Sequence, residues 1–273
     1  WRYGGAIAFL NFRGENQKLG FGANTIIEEE FNYGLSFTNP WITGDHVSLS
    51  GWAYQTSGTD PFYSYNYMAR AFGIGTGFYK KKYHKFNFAL TIFYSSIDTS
   101  GINIEILEKY ANIPLHYKYI SGKLTYQYDT RDIYNDPTSG ALATLSLESN
   151  LSLGQSENHY RFWFQYKKYF KISDGYLNPV LSFDTRFLFK KSKSFPIGTY
   201  EYLGGKNFVR GYSPIPKKNS FEVTNLIEGY NVVYQSVQLQ HTLFEKEDFD
   251  FMKFGLNFGL ELGIDMVYFV DIG

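Results

Sequence analysis

The chain of 273 residues contains no cysteine, which excludes disulfide bonds and thiolate metal sites within it. Its 26 lysine and arginine residues balance 26 aspartate and glutamate residues, so no net positive charge favours a nucleic acid as partner. Aromatic residues make up 20% of the sequence, which is typical of β-strands and of the belts where proteins meet a membrane interface.

Apolar and polar residues alternate with a period of two along most of the chain, a pattern that predicts β-strands and not helices. The alternation is strongest in 83–96, 141–153 and 180–190. Weaker versions occur at 3–13, 17–26, 30–38, 46–54, 66–80, 115–129, 158–172, 230–244 and 254–272. The sequence therefore predicts an all-β fold of about twelve strands. The segment 101–111 fits either a short helix or a further strand.

The strongest segments have one apolar and one polar face, as in Phe187 against Asp184 and Arg186. Their length suits the roughly 9–11 residues of a tilted membrane strand better than the roughly 5–6 of a soluble one. About twelve antiparallel strands enclose a lumen too wide for side chains to fill. We therefore expect a transmembrane barrel with polar faces inward and Phe88, Leu145 and Phe187 towards lipid. Alternation alone leaves a two-sheet sandwich open as the alternative.

A first motif joins two of the predicted strands. Tyr-Asp-Thr-Arg-Asp closes one strand, and Pro-Thr-Ser-Gly opens the next. The same residue types are also those of an ordinary β-turn, so the motif by itself does not distinguish the two. Its candidate residues are Asp129, Arg131, Asp132, Pro137 and Gly140.

A second motif, Tyr-Leu-Gly-Gly-Lys-Asn-Phe-Val-Arg-Gly-Tyr, lies at 202–212 between two long strands. Its glycines allow backbone angles that other residues avoid, so the backbone would direct the single arginine. Such a loop can fold back and place a guanidinium inside a barrel, although an exposed loop arginine is commoner. The candidate residues are Gly204, Gly205, Val209, Arg210, Gly211 and Tyr212.

With both motifs present in this order, the chain resembles the BamA/TamA family of outer-membrane barrels, the bacterial surface-antigen class. That family carries the Tyr-Asp-Thr-Arg-Asp … Pro-Thr-x-Gly junction in mid-barrel and a Leu-Gly-Gly … Val-Arg-Gly-Tyr/Phe motif in its sixth extracellular loop. Thr38-Asn39-Pro40-Trp41 is similar to a third family feature, a strand end near the barrel start. The resemblance covers essentially the whole chain. It implies a bacterial outer-membrane barrel, with an organelle outer membrane as the less favoured location.

The resemblance also implies partners for the loop arginine. Arg210 matches the family arginine that reaches into the lumen and pairs with acidic residues on the next two strands. Asp271 matches the acidic residue of the later strand, whereas Gln240 stands where the family often has glutamate. An amide accepts a hydrogen bond without charge assistance. We therefore expect Asp271 to provide most of the compensation for the guanidinium.

The family barrel has about sixteen strands, and the strands predicted here resemble its second through thirteenth. We treat 1–273 as a single barrel domain, incomplete at both ends. POTRA domains are expected upstream, and the first strand and the last three are expected outside this sequence. An open sheet of this size would leave two unpaired edges, which lipid does not tolerate.

The function that the resemblance implies is outer-membrane protein assembly, in which an insertase barrel templates incoming strands at a lateral seam. The implied partners are the lipid bilayer, nascent outer-membrane proteins as clients, and accessory periplasmic or lipoprotein subunits. A secretion barrel of the two-partner or patatin-type autotransporter class shares the fold and the loop, and is the alternative. A passive porin or a soluble β-protein forms a third class. The number of POTRA repeats upstream would separate assembly from secretion.

Signals of enzymatic activity are weak. The five histidines are scattered and lack metal-ligand spacing, and there is no Gly-x-Ser-x-Gly nucleophile motif. Gly73-Ile-Gly75-Thr-Gly77 matches part of a nucleotide-binding loop, but no helix pattern follows, so glycines within a strand are favoured. We expect no catalytic residue, no metal and no cofactor.

Overall fold

The computed structural model describes residues 2–26, 30–43, 46–59, 65–99, 114–154, 156–173, 178–196, 199, 201–204, 208–210, 228–249 and 260–273. The strands in these ranges are β1 (Arg2–Phe12), β2 (Gln17–Ile26), β3 (Glu30–Asn39), β4 (Val47–Thr59), β5 (Asn66–Lys80), β6 (His84–Asp98), β7 (His116–Asp129), β8 (Gly140–Ser152), β9 (His159–Lys171), β10 (Val180–Ser192), β11 (Glu201–Tyr202), β12 (Glu228–Gly229), β13 (Val232–Phe249) and β14 (Leu260–Ile272). In the described ranges, no helix has the length and apolar character needed to cross a bilayer. The segment 101–111 lies outside the described residues.

Twelve strands form one antiparallel sheet, in the order β1 to β10 followed by β13 and β14. Each strand pairs with its neighbour in the chain, except that β10 pairs with β13 across a long loop. That loop contains β11 and β12, which pair only with each other. The all-β prediction and the strand number are confirmed. Within the described residues, β1 and β14 form the two edges of the sheet.

The sheet buries polar side chains on one face and exposes apolar side chains on the other. In β10, Asp184 is 6% exposed whereas Phe183 is 40% exposed. In β8, Ser146 is buried whereas Leu147 is exposed, and Phe88 of β6 is exposed as predicted. A protein with a water-soluble surface shows the opposite arrangement. We call the face of Asp184 and Ser146 the inner face and the apolar face the outer face.

Two other residues predicted to lie on the apolar face are covered by their neighbours. Leu145 and Phe187 are half-buried. The register places Phe164 of β9 between them, and its ring stacks on Phe187 with centroids 6.0 Å apart. Rows of aromatic side chains therefore cover parts of the outer face, and the two residues do not enter a dry interior.

The glycines of Gly73-Ile-Gly75-Thr-Gly77 are confirmed as strand residues, since all of them lie in β5. Gly73 is buried, and a Cβ added there would lie 2.4 Å from the Trp52 ring of β4. The glycine therefore makes room for an indole on the inner face. This packing role accounts for the glycine without a nucleotide.

One apolar cluster lies on the inner face, where the long loop meets the wall. Its buried members are Leu188 of β10, Val232 and Tyr234 of β13, and Phe208 of the loop. Trp163, Leu203 and Val209 pack against it. The loop thus folds back onto an apolar part of the inner face.

Candidate functional site

Just before its arginine, the loop between β10 and β13 lies alongside its own earlier residues. The Val209 amide donates a hydrogen bond to the Leu203 carbonyl at 2.9 Å, and Gly204 forms a parallel bridge with Val209. Phe208 then inserts its ring edge-on between Trp163 and Tyr234, at centroid distances of 6.4 and 5.9 Å. These contacts direct Arg210 towards the inner face. The motif residues Gly205, Gly211 and Tyr212 lie outside the described residues.

Arg210 binds Asp271 of β14 through both its backbone and its side chain. The Arg210 amide and Nε donate to Asp271 Oδ2 at 2.9 and 2.8 Å. Arg210 Nη2 donates to Asp271 Oδ1 at 2.7 Å. The Asp271 side chain is only 3% exposed. The pair is therefore a bidentate, charge-assisted contact, the strongest class of side-chain hydrogen bond in proteins.

Neighbouring groups complete the environment of this pair. Arg210 Nη2 also donates to Ser236 Oγ at 3.0 Å, and the Tyr234 hydroxyl donates to Asp271 Oδ1 at 3.2 Å. The guanidinium carbon lies 3.5 Å from the centroid of the Phe269 ring, a cation–π contact. The cation thus faces a carboxylate and a hydroxyl at its edge and an aromatic ring at its face.

Gln240, the second predicted partner of Arg210, is not one of its partners. The register of β13 and β14 places Ser236 opposite Asp271, whereas Gln240 lies opposite Val267. The four residue steps from Ser236 to Gln240 span about 13 Å of strand. The Gln240 amide instead donates to Asp136 Oδ1 at 2.9 Å, in the turn between β7 and β8.

Sequence reasoning missed Ser236 and the apolar cluster that receives the loop. One signal was available: Leu188, Val232 and Tyr234 are apolar residues at inward-facing positions of β10 and β13. Apolar residues on the inner face of these two strands indicate that a chain segment covers them. Ser236 follows two residues after Tyr234, with the same parity.

The junction motif forms a turn in which Arg131 folds onto its own segment. Arg131 Nε and Nη2 donate to Asp129 Oδ1 and Oδ2 at 2.9 and 2.7 Å. Arg131 Nη1 donates to the Tyr134 carbonyl at 3.2 Å, and the guanidinium lies 4.9 Å from the Tyr134 ring centroid. The contacts are local, so the arginine shapes the turn.

Asp132 organises the other half of this turn. Its Oδ1 accepts hydrogen bonds from the amides of Ile133, Thr138 and Ser139 at 2.9, 3.1 and 3.2 Å, and its Oδ2 accepts one from Thr138 Oγ1. Burial raises the pKa of Asp132, but these hydrogen bonds outweigh it and lower the pKa to about 2. The carboxylate is therefore ionised wherever the turn is intact at ordinary pH.

The end of the junction requires a glycine. Gly140 has a φ of +97°, and a Cβ there would lie 2.2 Å from the Thr130 carbonyl oxygen. The Thr130 amide donates to the Ala141 carbonyl at 2.8 Å, so the two ends of the junction are in direct contact at this point. Pro137 is half-buried within the same turn. The junction is a tightly bonded turn, and its Asp136 contacts β13.

A second charged group on the inner face lies beside the apolar cluster. Asp184 binds Arg186 at 2.5 Å and Lys167 at 3.2 Å. The Arg186 guanidinium lies 5.9 Å from the Phe208 ring centroid and 5.1 Å from that of Tyr234. Among the described residues, no group of three or more histidine, aspartate or glutamate side chains is placed to hold a metal ion.

Long antiparallel strands with an apolar outer face and a loop locked onto the inner face define a class of membrane β-barrel. Residues 11–260 match the family profile described as "Omp85 superfamily domain". The chain belongs to the Omp85 superfamily.

Solved structures have the same fold. The structure titled "The crystal structure of BamA from Haemophilus ducreyi lacking POTRA domains 1-3" is similar at 19% identity with a TM-score of 0.73, covering 99% of this chain and 54% of that one. CdiB from Escherichia coli is similar at 13% identity with a TM-score of 0.55, covering 90% and 46%. The chain thus spans about half the length of these structures. No curated protein sequence gives a significant match.

Proposed function

We propose that this chain is the barrel of an outer-membrane assembly factor that inserts β-barrel clients into the bilayer. The observation that carries the proposal is the loop lock between Arg210 and Asp271, in a superfamily barrel whose outer face is apolar. No covalent bond is made or broken in this activity. The machine acts by presenting backbone groups to an incoming strand.

The physical basis is the cost of unpaired backbone groups in hydrocarbon. Each unsatisfied amide or carbonyl there costs several kcal/mol, so an isolated strand enters lipid poorly. A seam with a free strand edge offers those groups partners, and the client strand adds by β-augmentation. A templating seam therefore lowers the barrier to insertion. Accessory periplasmic or lipoprotein subunits would deliver clients to it.

The loop lock would keep the barrel shape while the seam opens. Arg210 joins the loop to β14, and Phe208 joins the same loop to β10 and β13. The loop thus joins three wall strands from inside the lumen. Without it, opening of the seam would be free to distort the neighbouring strands.

The test uses the full-length protein in proteoliposomes and follows the folding of an unfolded outer-membrane protein. We expect Arg210→Ala to slow client folding about tenfold or more while its own barrel remains folded. Lys191→Ala is the matched control, because Lys191 is an exposed cation on the outer side of β10. Undiminished client folding by a stably folded Arg210→Ala protein would refute the role given to the loop.

Polypeptide secretion is the second candidate function, and one observation favours it. Beside the loop, the inner face leaves a cavity of about 530 Å³, bounded by residues that include Trp52, Tyr54, Glu148 and Pro196. A passing polypeptide requires such space. A protein that exports a secreted substrate across proteoliposomes, and does not accelerate client insertion, would be a transporter. One or two POTRA repeats upstream would favour that reading, and several would favour assembly.

A further inference from the structure

A second set of charges holds the loop at its base, where the chain leaves β10. Lys190 lies near the end of β10 with the inward parity of Asp184, and its side chain is only 9% exposed. Its Nζ lies 2.9 Å from Glu201 Oε1, and it also donates to the Thr199 carbonyl. Glu201 is the first residue of β11. Lys190 thus contacts two residues, Thr199 and Glu201, in the first part of the loop after β10.

Two further wall strands contribute to the same contact. Arg161 of β9 places Nη2 3.7 Å from Glu201 Oε1, and its Nη1 lies 3.9 Å from Glu148 Oε2 of β8. The wall therefore provides two cations and one carboxylate, and the loop provides the second carboxylate. The four charges balance only when Glu201 is in place. Removing Glu201 leaves Lys190 and Arg161 with one carboxylate between them.

The last part of the loop, which leads into β13, also binds Lys190. The Lys190 amide donates to Asn231 Oδ1 at 2.9 Å, just before β13 begins. Glu201 pairs with Gly229 of β12, so the first and the last parts of the loop also bind each other. Phe195 and Tyr230 stack across the base with centroids 4.1 Å apart. The first and the last parts of the loop thus both contact Lys190.

We propose that Lys190, supported by Arg161, is a positioning residue that clamps the base of the loop through Glu201. The clamp acts independently of the Arg210 lock: Lys190 fixes where the loop leaves the wall, and Arg210 fixes where its tip binds. The inference goes beyond the proposed function, because it concerns the loop position in an assembly barrel and in a secretion barrel alike. The geometry that supports this proposal is a single lysine, with a side chain only 9% exposed, that contacts the loop both where it begins and where it ends.

The test measures exposure of the loop base in the folded full-length protein in detergent micelles. These 273 residues contain no cysteine, so Thr199→Cys introduces the only thiol among them, and any cysteine elsewhere in the full-length protein is replaced by serine. The Thr199 carbonyl that Lys190 binds is retained. The rate of reaction with a water-soluble maleimide reports how often the base leaves the wall. We expect Lys190→Gln to raise this rate about five- to tenfold. Glu201→Gln should raise it further, because two wall cations then lose their loop partner.

Matched variants separate a clamp from a general loss of structure. Lys191→Gln removes the same charge one residue away, on the outer side, and should leave the rate unchanged. Lys190→Arg retains the cation and should keep most of the protection. The Lys190→Gln effect should persist in an Arg210→Ala background. Heat-modifiable migration on gels verifies that each variant is a folded barrel.

Three results would overturn the inference. The first is a Lys190→Gln rate no higher than that of Lys191→Gln in folded protein. The second is an equal loss of protection with Lys190→Arg, which would remove charge as the cause. The third is disappearance of the Lys190→Gln effect when Arg210 is replaced, which would make the clamp a part of the tip lock.

Discussion

Arg210 and Asp271 lie 61 residues apart in the chain and share three hydrogen bonds, one from the arginine backbone and two from its guanidinium. Because the backbone amide takes part, the carboxylate fixes the course of the loop as well as the side chain. Asp271 belongs to β14, so the contact joins the loop to a strand of the wall. The position of the loop and the position of β14 are therefore coupled.

The first prediction concerns the charge on β14. Asp271→Asn should destabilise the barrel by about 1–3 kcal/mol, since the guanidinium loses its ionised acceptor in a site where Asp271 is buried. Arg210→Lys should cost less but still be measurable, because an ammonium cannot form the two-point contact. Urea-induced unfolding in micelles, followed by tryptophan fluorescence, measures both. Equal stability of wild type and Asp271→Asn would contradict the lock.

The second prediction compares two residues of β13: Gln240, which the sequence analysis named as a partner of Arg210, and Ser236, which it did not. Ser236→Ala removes an acceptor of Arg210 and should cost about 1 kcal/mol in the same unfolding measurement. Ser236→Ala combined with Arg210→Ala should then cost less than the sum of the two single changes.

Gln240→Ala is the comparison, because Gln240 contacts Asp136 and not Arg210. Its effect should add to that of Arg210→Ala, as expected for independent sites. Strong coupling of Gln240 with Arg210, and none of Ser236, would reverse the assignment made from the register.

The sequence predicted the fold well because the strand signal is local and repeated. The polar parity of Asp184 and the apolar parity of Phe88 follow from the chain alone. Arg210 and Asp271 were paired through a family motif, and the structure places them in contact. Gln240 was named in place of Ser236 because the register of β13 against β14 was unknown, and a period-two pattern does not distinguish positions that share a face.

The long-range contacts were beyond sequence reasoning for a related reason. Gln240 and Asp136 are 104 residues apart, and Lys190 of β10 contacts Glu201 within the loop that follows. Neither pair lies in a motif or in facing positions of adjacent strands. Such contacts depend on how loops cross the inner face, and no local periodicity records that path.

The third prediction tests the junction turn. Gly140→Ala should cost at least about 2 kcal/mol or prevent folding, because a Cβ would collide with the Thr130 carbonyl at a φ of +97°. Gly154→Ala is the matched control, since a Cβ there meets nothing within 4 Å, and its effect should stay within about 0.5 kcal/mol. The fraction of heat-modifiable folded protein after refolding measures both. Equal behaviour of the two variants would show that the junction tolerates a side chain.

The fourth prediction is a pH dependence that arises in the same turn. The pKa of Asp132 falls from 3.8 to about 2 in the folded protein, so the ionised carboxylate stabilises the fold above about pH 4. That stability is lost as the pH falls through about 2, where the folded carboxylate is protonated. The difference in unfolding midpoint between wild type and Asp132→Asn should therefore be largest near pH 5 and shrink towards pH 2. A difference that is constant over this range would mean that ionised Asp132 gains nothing from Ile133, Thr138 and Ser139 beyond what an amide gains.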